Sequence, residues 1–492
     1  MQGLGTVMAR ANPLLEHVMR RAGFGMSAAD VAAFDGVGIP SMITHLVDYE
    51  RIPDDVDSKI GRPEYVGVTS AQGAFSPNTN LDHARQRWLF RMVHSQRPLQ
   101  EKMTLFWHNH FATAASKVLG STTAIQGTKM MVNKTGDLPG PAGQLETLRT
   151  RALGKFRDLL VEMAKDPAML VWLDGRLNTR LRPQENFGRE IMELFTLGVG
   201  NYTEQDVYAA ARVFTGWNIR LVGAVNTPNA YYEPFFSPAN HETTAKTFTF
   251  PIYANGSKTI PARTAADGMQ DGLDFIAALA RSPITAQRLA RKLWSFFVSD
   301  SLPPDPEFIS GSATAYLAND TDMRSMVAYV LRSRQFQSLQ HAYARYSWPA
   351  EFVARSIKEV GWNGYSIDGA RQSLAAMGQT LYEPPDVAGW ELGEGWFTTG
   401  AMLSRMNFAS ALAFNQRFNL GRDATAARGS AENVLSLFLD RLSPPTYDNE
   451  PFNALLEYLN AGGAWTGSDT QLTTKAAGLT RLIVGSSEYQ LM

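Results

Sequence analysis

Cysteine is absent from all 492 residues. This excludes disulfides, thiolate metal ligands and cysteine nucleophiles. Any metal would have to be held by His, Asp, Glu, backbone or water, and histidine is scarce, at eight. Charge of either sign in excess is also missing: 46 basic and 47 acidic side chains leave a net -1. No global positive field exists to draw nucleic acid or an anionic membrane. No apolar run approaches the roughly 18–20 residues that span a bilayer, so no transmembrane segment is expected. Arg10, Glu16, Arg20 and Arg21 interrupt any apolar stretch near the N-terminus. The chain as written is therefore expected to be soluble, with no export signal. A Gly-x-x-x-x-Gly-Lys-Ser/Thr phosphate loop, a Gly-x-Gly-x-x-Gly after a strand, His-Glu-x-x-His and a Gly-x-Ser-x-Gly nucleophile elbow are all missing.

What is present is a chain 44% hydrophobic and 19% charged, long enough to bury a substantial core. Apolar residues recur at helical spacing through most of it. Pro98 starts one helix, with Leu99, Met103, Phe106 and His110 following at that spacing. A second helix covers 185–197 and stops at Gly198. Thr203 to Asp206 resembles a capping box for a third. Segments near 51–80, 118–148 and 219–262 are richer in Pro, Gly, Asn and Thr and read as long irregular insertions. Within the last, Thr247–Ile252 and Ser257–Ile260 flank Asn255-Gly256, the pattern of a short hairpin. The expected fold is mainly α: one large multi-helical domain with long irregular insertions and a small β-hairpin.

The chemistry-bearing residues concentrate in two places. One is Phe106-Trp107-His108-Asn109-His110, two imidazoles inside an apolar run. If this stretch is helical, His110 shares the Met103/Phe106 stripe and His108 points almost the opposite way. If it is extended from Trp107 onward, both rings fall on one face and could chelate. The other is the helix containing Glu190 and Glu193. At about 100° per residue, Phe187, Ile191, Leu194 and Phe195 share an apolar arc, with Glu190 at its edge and Glu193 further round. Glu190 is the carboxylate expected to be partly buried, with Glu185 and Arg189 a solvated pair. His241, in a loop, could supply another nitrogen. Arg20 and Arg21 could hold an anionic group. Trp390 and Trp396 could stack on a sugar ring, and Asp386 could join an acid–base pair or cap a turn.

Several segments together resemble one uncharacterised bacterial family, domain of unknown function 1800. They are His17 to Gly25, Phe106 to Phe111, Glu185 to Gly198, Phe214 to Trp217, Pro384 to Trp390, and Arg405 to Phe408. Their order and spread imply a single family domain over 12–492, preceded by an extension of residues 1–11. The resemblance implies no established activity. Members often look exported and neighbour sulfatase-like proteins, which implies envelope or polysaccharide biology. They often carry His after the Glu-x-x-Glu-Leu segment, where this chain has Phe195.

The leading expectation is a metal-dependent, hydrolytic enzyme acting on a carbohydrate-like or anionic substrate. His108, His110, Glu190 and His241 would hold a divalent metal of unknown identity. Glu190, Glu193 and Asp386 would do acid–base work, and Arg20, Arg21, Trp390 and Trp396 would bind a small molecule or polysaccharide. The alternatives are a non-catalytic envelope binding or scaffold protein, whose polar motifs are buried networks, and a metal-free acid–base glycosidase or lyase.

Overall fold

Helical periodicity dominates the sequence, and helices dominate the computed structural model, which describes residues 12–69, 74–442 and 449–492. Residues 1–11 lie outside that range. Twenty-four α-helices carry nearly all the regular structure among the described residues. One continuous apolar core runs from Leu15 to Tyr489. Among the described residues no helix is long and apolar enough to cross a membrane.

Pro98–His110 is the central helix. Pro98 at its first position costs no hydrogen bond. Every residue of the helix but Asn109 is buried, so it has no solvated face. Its polar side chains must therefore find protein partners, because an unpaired buried polar group costs free energy. They reach out like spokes to distant parts of the chain. Gln100 donates to the Arg149 carbonyl at 3.1 Å. Glu101 accepts from Arg91 at 2.7 Å and from Arg149 at 2.9 Å. Lys102 donates to the Gly23 carbonyl at 3.0 Å and pairs with Glu351. Trp107 donates to the Ala152 carbonyl at 2.9 Å.

The expected insertions differ in kind. Residues 118–148 are largely helical: Ala124–Val132 is capped by Thr123, and Gln144–Thr150 follows. Gly127 permits this, because a Cβ there would meet Leu119 at 2.8 Å. Glycine here serves close helix packing, not a loop. Among its described residues the region near 51–80 is irregular apart from two short 3-10 turns, Tyr49–Arg51 and Val56–Lys59. The hairpin around Asn255-Gly256 forms but is minimal: Lys246–Thr247 pairs antiparallel with Thr259–Ile260. The longer hairpin lies earlier and was not expected. Trp217–Val222 pairs with Tyr231–Phe236, from Trp217 opposite Phe236 to Val222 opposite Tyr231. Its strands lack clean alternation because both faces are half-buried.

Candidate functional site

Because Pro98–His110 is helical to its end, His108 and His110 point apart. His108 is buried with its ring against Trp88, Tyr382 and Trp390, at centroid separations of 5.1, 5.6 and 5.4 Å. Its Nε2 accepts the backbone N–H of Tyr382 at 3.1 Å. That nitrogen is thereby a lone-pair acceptor in use. Burial pushes the imidazole down to about 3, so it is neutral.

His110 faces a different set of neighbours. Its Nε2 lies 3.1 Å from the Phe195 carbonyl. A carbonyl only accepts, so Nε2 carries the proton. Its Nδ1 accepts from Lys292 Nζ at 3.1 Å. Phe195 sits with its ring 6.0 Å from that of His110. His241 lies elsewhere again: Nδ1 is 2.9 Å from the Thr215 carbonyl and Nε2 is 3.3 Å from Asp271. Asp271 also takes Lys246 at 2.6 Å and Arg263 at 2.7 Å. This charged knot ties the 217–263 insertion to the helix Met269–Arg281.

The three histidines expected to share a metal are thus engaged with three different sets of partners. Among the described residues no group of three or more His, Asp or Glu side chains is arranged to hold an ion. The reason is local: helical period separates positions 108 and 110, and each of the three rings has at least one nitrogen paired with a backbone or side-chain group.

Glu190 is half-buried, as its place on the helical wheel predicts, and makes no hydrogen bond or ion pair among the described residues. Burial first, then the neighbouring Glu193, raises its carboxyl above the usual range. Glu193 accepts the Tyr202 hydroxyl. Glu185 and Arg189 pair at 3.5 Å, and Arg189 pairs more closely with Glu204 at 2.7 Å.

Arg20 and Arg21 are fully buried. Arg20 lies over the Tyr343 ring at 4.2 Å. Arg21 donates to the Phe297 carbonyl at 3.2 Å and the His341 carbonyl at 2.7 Å. They stitch the core together and do not line the cleft described below, so the expected anion clamp does not form there. Asp386 is exposed and accepts the Ala388 N–H at 2.8 Å; it caps the turn of its own loop.

Trp390 and Trp396 do come together. They line an open cleft of ≈ 340 Å³ with Met377, Gly378, Glu391 and Thr398. Each tryptophan is only 5% exposed, so they form its walls and do not project into solvent. Their position derives from the central helix. Asn109 Oδ1 accepts the Trp390 N–H at 2.7 Å. Gly389 has φ +92, and a Cβ there would lie 2.3 Å from Asn109 Oδ1. His108 and Asn109 therefore clamp the two ends of the segment Tyr382–Trp390. In the sequence the two histidines stand out as chemical groups and the asparagine between them does not. Lys292 is a second residue that the sequence does not single out. Its signal is a lysine set i+3 from Leu289 and i-4 from Phe296, at the margin of an apolar stripe.

The fold and these clamps define a mainly helical, single-domain protein built round one polar, fully enclosed helix. The chain belongs to the family described as "Protein of unknown function (DUF1800)", whose model matches residues 17–491. No curated protein and no solved structure matches it.

Proposed function

We propose that the cleft walled by Trp390 and Trp396 binds a carbohydrate-like ligand. The observation that carries this reading is the pairing of two tryptophans, brought from the two ends of 390–396, in one open cleft. Indole walls accept the C–H faces of a sugar ring, and a few polar groups at the rim fix orientation. Glu391 and Thr398 are such groups: the carboxylate accepts from sugar hydroxyls, and the threonine hydroxyl both donates and accepts. The test is titration of the purified protein with chitotetraose and with cellotetraose, followed by tryptophan emission and calorimetry. Binding to either, weakened about tenfold or more by Trp390→Ala or Trp396→Ala, is the expected result. Silence to both probes, with a folded protein, removes the proposal.

A second reading, divalent-metal hydrolysis, has one observation in its favour. Glu190 is a half-buried carboxylate with no cation beside it except Arg189, one residue away. A metal ion would supply the missing positive charge and keep it ionised. Metal analysis of the purified protein tests this: stoichiometric metal lost in Glu190→Gln supports it, and no metal above trace sinks it.

A further inference from the structure

We propose that the turn at 179–182 seats the protein on an anionic phospholipid surface. The segment 175–182 reads Gly-Arg-Leu-Asn-Thr-Arg-Leu-Arg. It interleaves three arginines with two leucines and contains no acid. Leu181 is 89% exposed, the most of any large apolar side chain among the described residues, and Leu177 is 56% exposed. A single exposed leucine is ordinary on a protein surface. Two of them set among three arginines form an amphiphilic patch, the composition that suits a membrane interface.

The arginines are available. Arg180 and Arg182 are exposed and Arg176 is half-buried. None of the three guanidinium groups makes a hydrogen bond or ion pair among the described residues. The carboxylates closest in sequence are already engaged: Asp174 with Lys117 at 3.2 Å, and Glu185 with Arg189 at 3.5 Å. The patch therefore presents uncompensated positive charge although the whole chain has a net -1. A guanidinium matches a phosphate oxygen pair in a planar, two-bond contact.

The backbone holds this tip out. Arg182 N–H donates to the Thr179 carbonyl at 3.0 Å and Arg180 N–H donates to the Asn240 carbonyl at 2.8 Å. Buried Asn178 closes the base: its Oδ1 accepts the Gln184 N–H at 3.0 Å, and its Nδ2 donates to the Ala211 carbonyl at 2.8 Å. Gly216 N–H donates to the Asn178 carbonyl at 3.1 Å. A turn needs Gly, Asn, Asp, Ser or Pro at its tip for conformational reasons, and leucine answers none of them. Held this way, Leu181 cannot fold back onto the core, and docking costs little ordering of the loop.

The leucines decide among polyanions. Nucleic acid or an acidic polysaccharide could take the arginines but would leave Leu181 in water. A second copy of the chain would bring like charges together. A bilayer places phosphates at the level of the guanidinium groups and acyl chains just beneath, where the leucine gains by leaving water. This surface is separate from the tryptophan cleft.

The experiment floats the full chain with vesicles of phosphatidylglycerol and phosphatidylcholine in equal parts, and with phosphatidylcholine alone. Binding is expected to the first only, and to weaken as salt is raised. Removing both exposed charges in Arg180→Gln/Arg182→Gln should weaken it about 25-fold, from about fivefold per charge. Leu181→Ser should weaken it about tenfold. Thermal unfolding of both variants should match the unaltered protein, since the altered side chains are exposed. Because the chain has no cysteine, Leu181→Cys takes a single environment-sensitive fluorophore, whose emission should shift to the blue on the anionic vesicles and stay unchanged with heparin. Leu403→Cys, at another exposed leucine, is the control and should not shift. No flotation, equal flotation on both vesicles, or a shift only at Leu403→Cys overturns the proposal. So does flotation that Leu181→Ser leaves intact, or binding to heparin alone, either of which marks a general polyanion site.

Discussion

The imidazole of His108 and the backbone N–H of Tyr382 are joined by a 3.1 Å hydrogen bond across 274 residues. Tyr382 sits at φ +65, a left-handed conformation costly for a bulky residue. The ring thus both satisfies a buried donor and holds the backbone in that conformation. His108→Ala removes the acceptor and leaves a void among Trp88, Tyr382 and Trp390. A loss of about 3–5 kcal/mol is expected from the cavity and the stranded N–H together. Urea unfolding would measure it. A loss under 1 kcal/mol would mean that the bond holds nothing in place.

Asn109 and Gly389 form the other clamp. At Gly389 the φ of +92 strains any side chain, and the space a Cβ needs is filled by Asn109. Gly389→Ala is expected to cost at least about 2 kcal/mol. It should also shift Trp390 and weaken oligosaccharide binding at the cleft. Thermal unfolding and tryptophan emission of the same variant check both parts. Unchanged stability would show that the loop relaxes freely around position 389.

How far these relationships could be read from sequence depends on the period involved. The Glu185–Glu193 helix, the partly buried Glu190 and the exposed Glu185–Arg189 pair follow from a 3.6-residue wheel, and they are found. The family and the mainly helical fold were legible for the same reason, in order and periodicity. The partners of His108, Asn109 and His110 were not, because Tyr382, Trp390 and Lys292 lie 182 to 281 residues away. No local pattern encodes such pairings. The richness in polar residues that suggests a metal site in Phe106–His110 has another cause. A helix buried on all sides needs one partner for each polar group. The Ala124–Val132 helix was hidden because Gly127 reads as a breaker, whereas it serves contact with Leu119.

Lys102, Glu351 and Arg345 form a fully buried triad, in which Glu351 pairs with Lys102 and with Arg345 at 2.7 Å. Burial alone would raise the Glu351 carboxyl, but Arg345 and Lys102 outweigh it and hold it down to about 2. Glu351→Gln keeps the shape and strands two cations in the core. It is expected to destabilise by about 3–5 kcal/mol. The exposed pair Arg334–Glu307 at 3.1 Å serves as a control, where Glu307→Gln should change stability by less than about 1 kcal/mol. Equal effects in the two variants would contradict the assignment of the triad to the core.

Acid should unfold this protein through its buried neutral histidines. His108 is pushed down to about 3 by burial, and His94 to about 3 by burial and then by Lys358. In the unfolded chain both titrate near 6.5. Between those values the unfolded state binds more protons than the folded one, so stability rises with pH there. The stabilising contribution is complete above pH 6.5 and is lost as pH falls from 6.5 towards 3. Each histidine adds a slope of up to about 1.4 kcal/mol per pH unit within that window. Carboxylates held low by ion pairs, such as Asp57 beside Arg91 and Lys134, add loss in the same direction at lower pH. A comparison of variants separates the two sources. His94→Gln and His108→Asn should each flatten the fall of the urea midpoint between pH 6.5 and 4.5, leaving the steeper fall below pH 4 intact. An unaltered slope between 6.5 and 4.5 in both variants would show that neither imidazole is kept neutral by the fold.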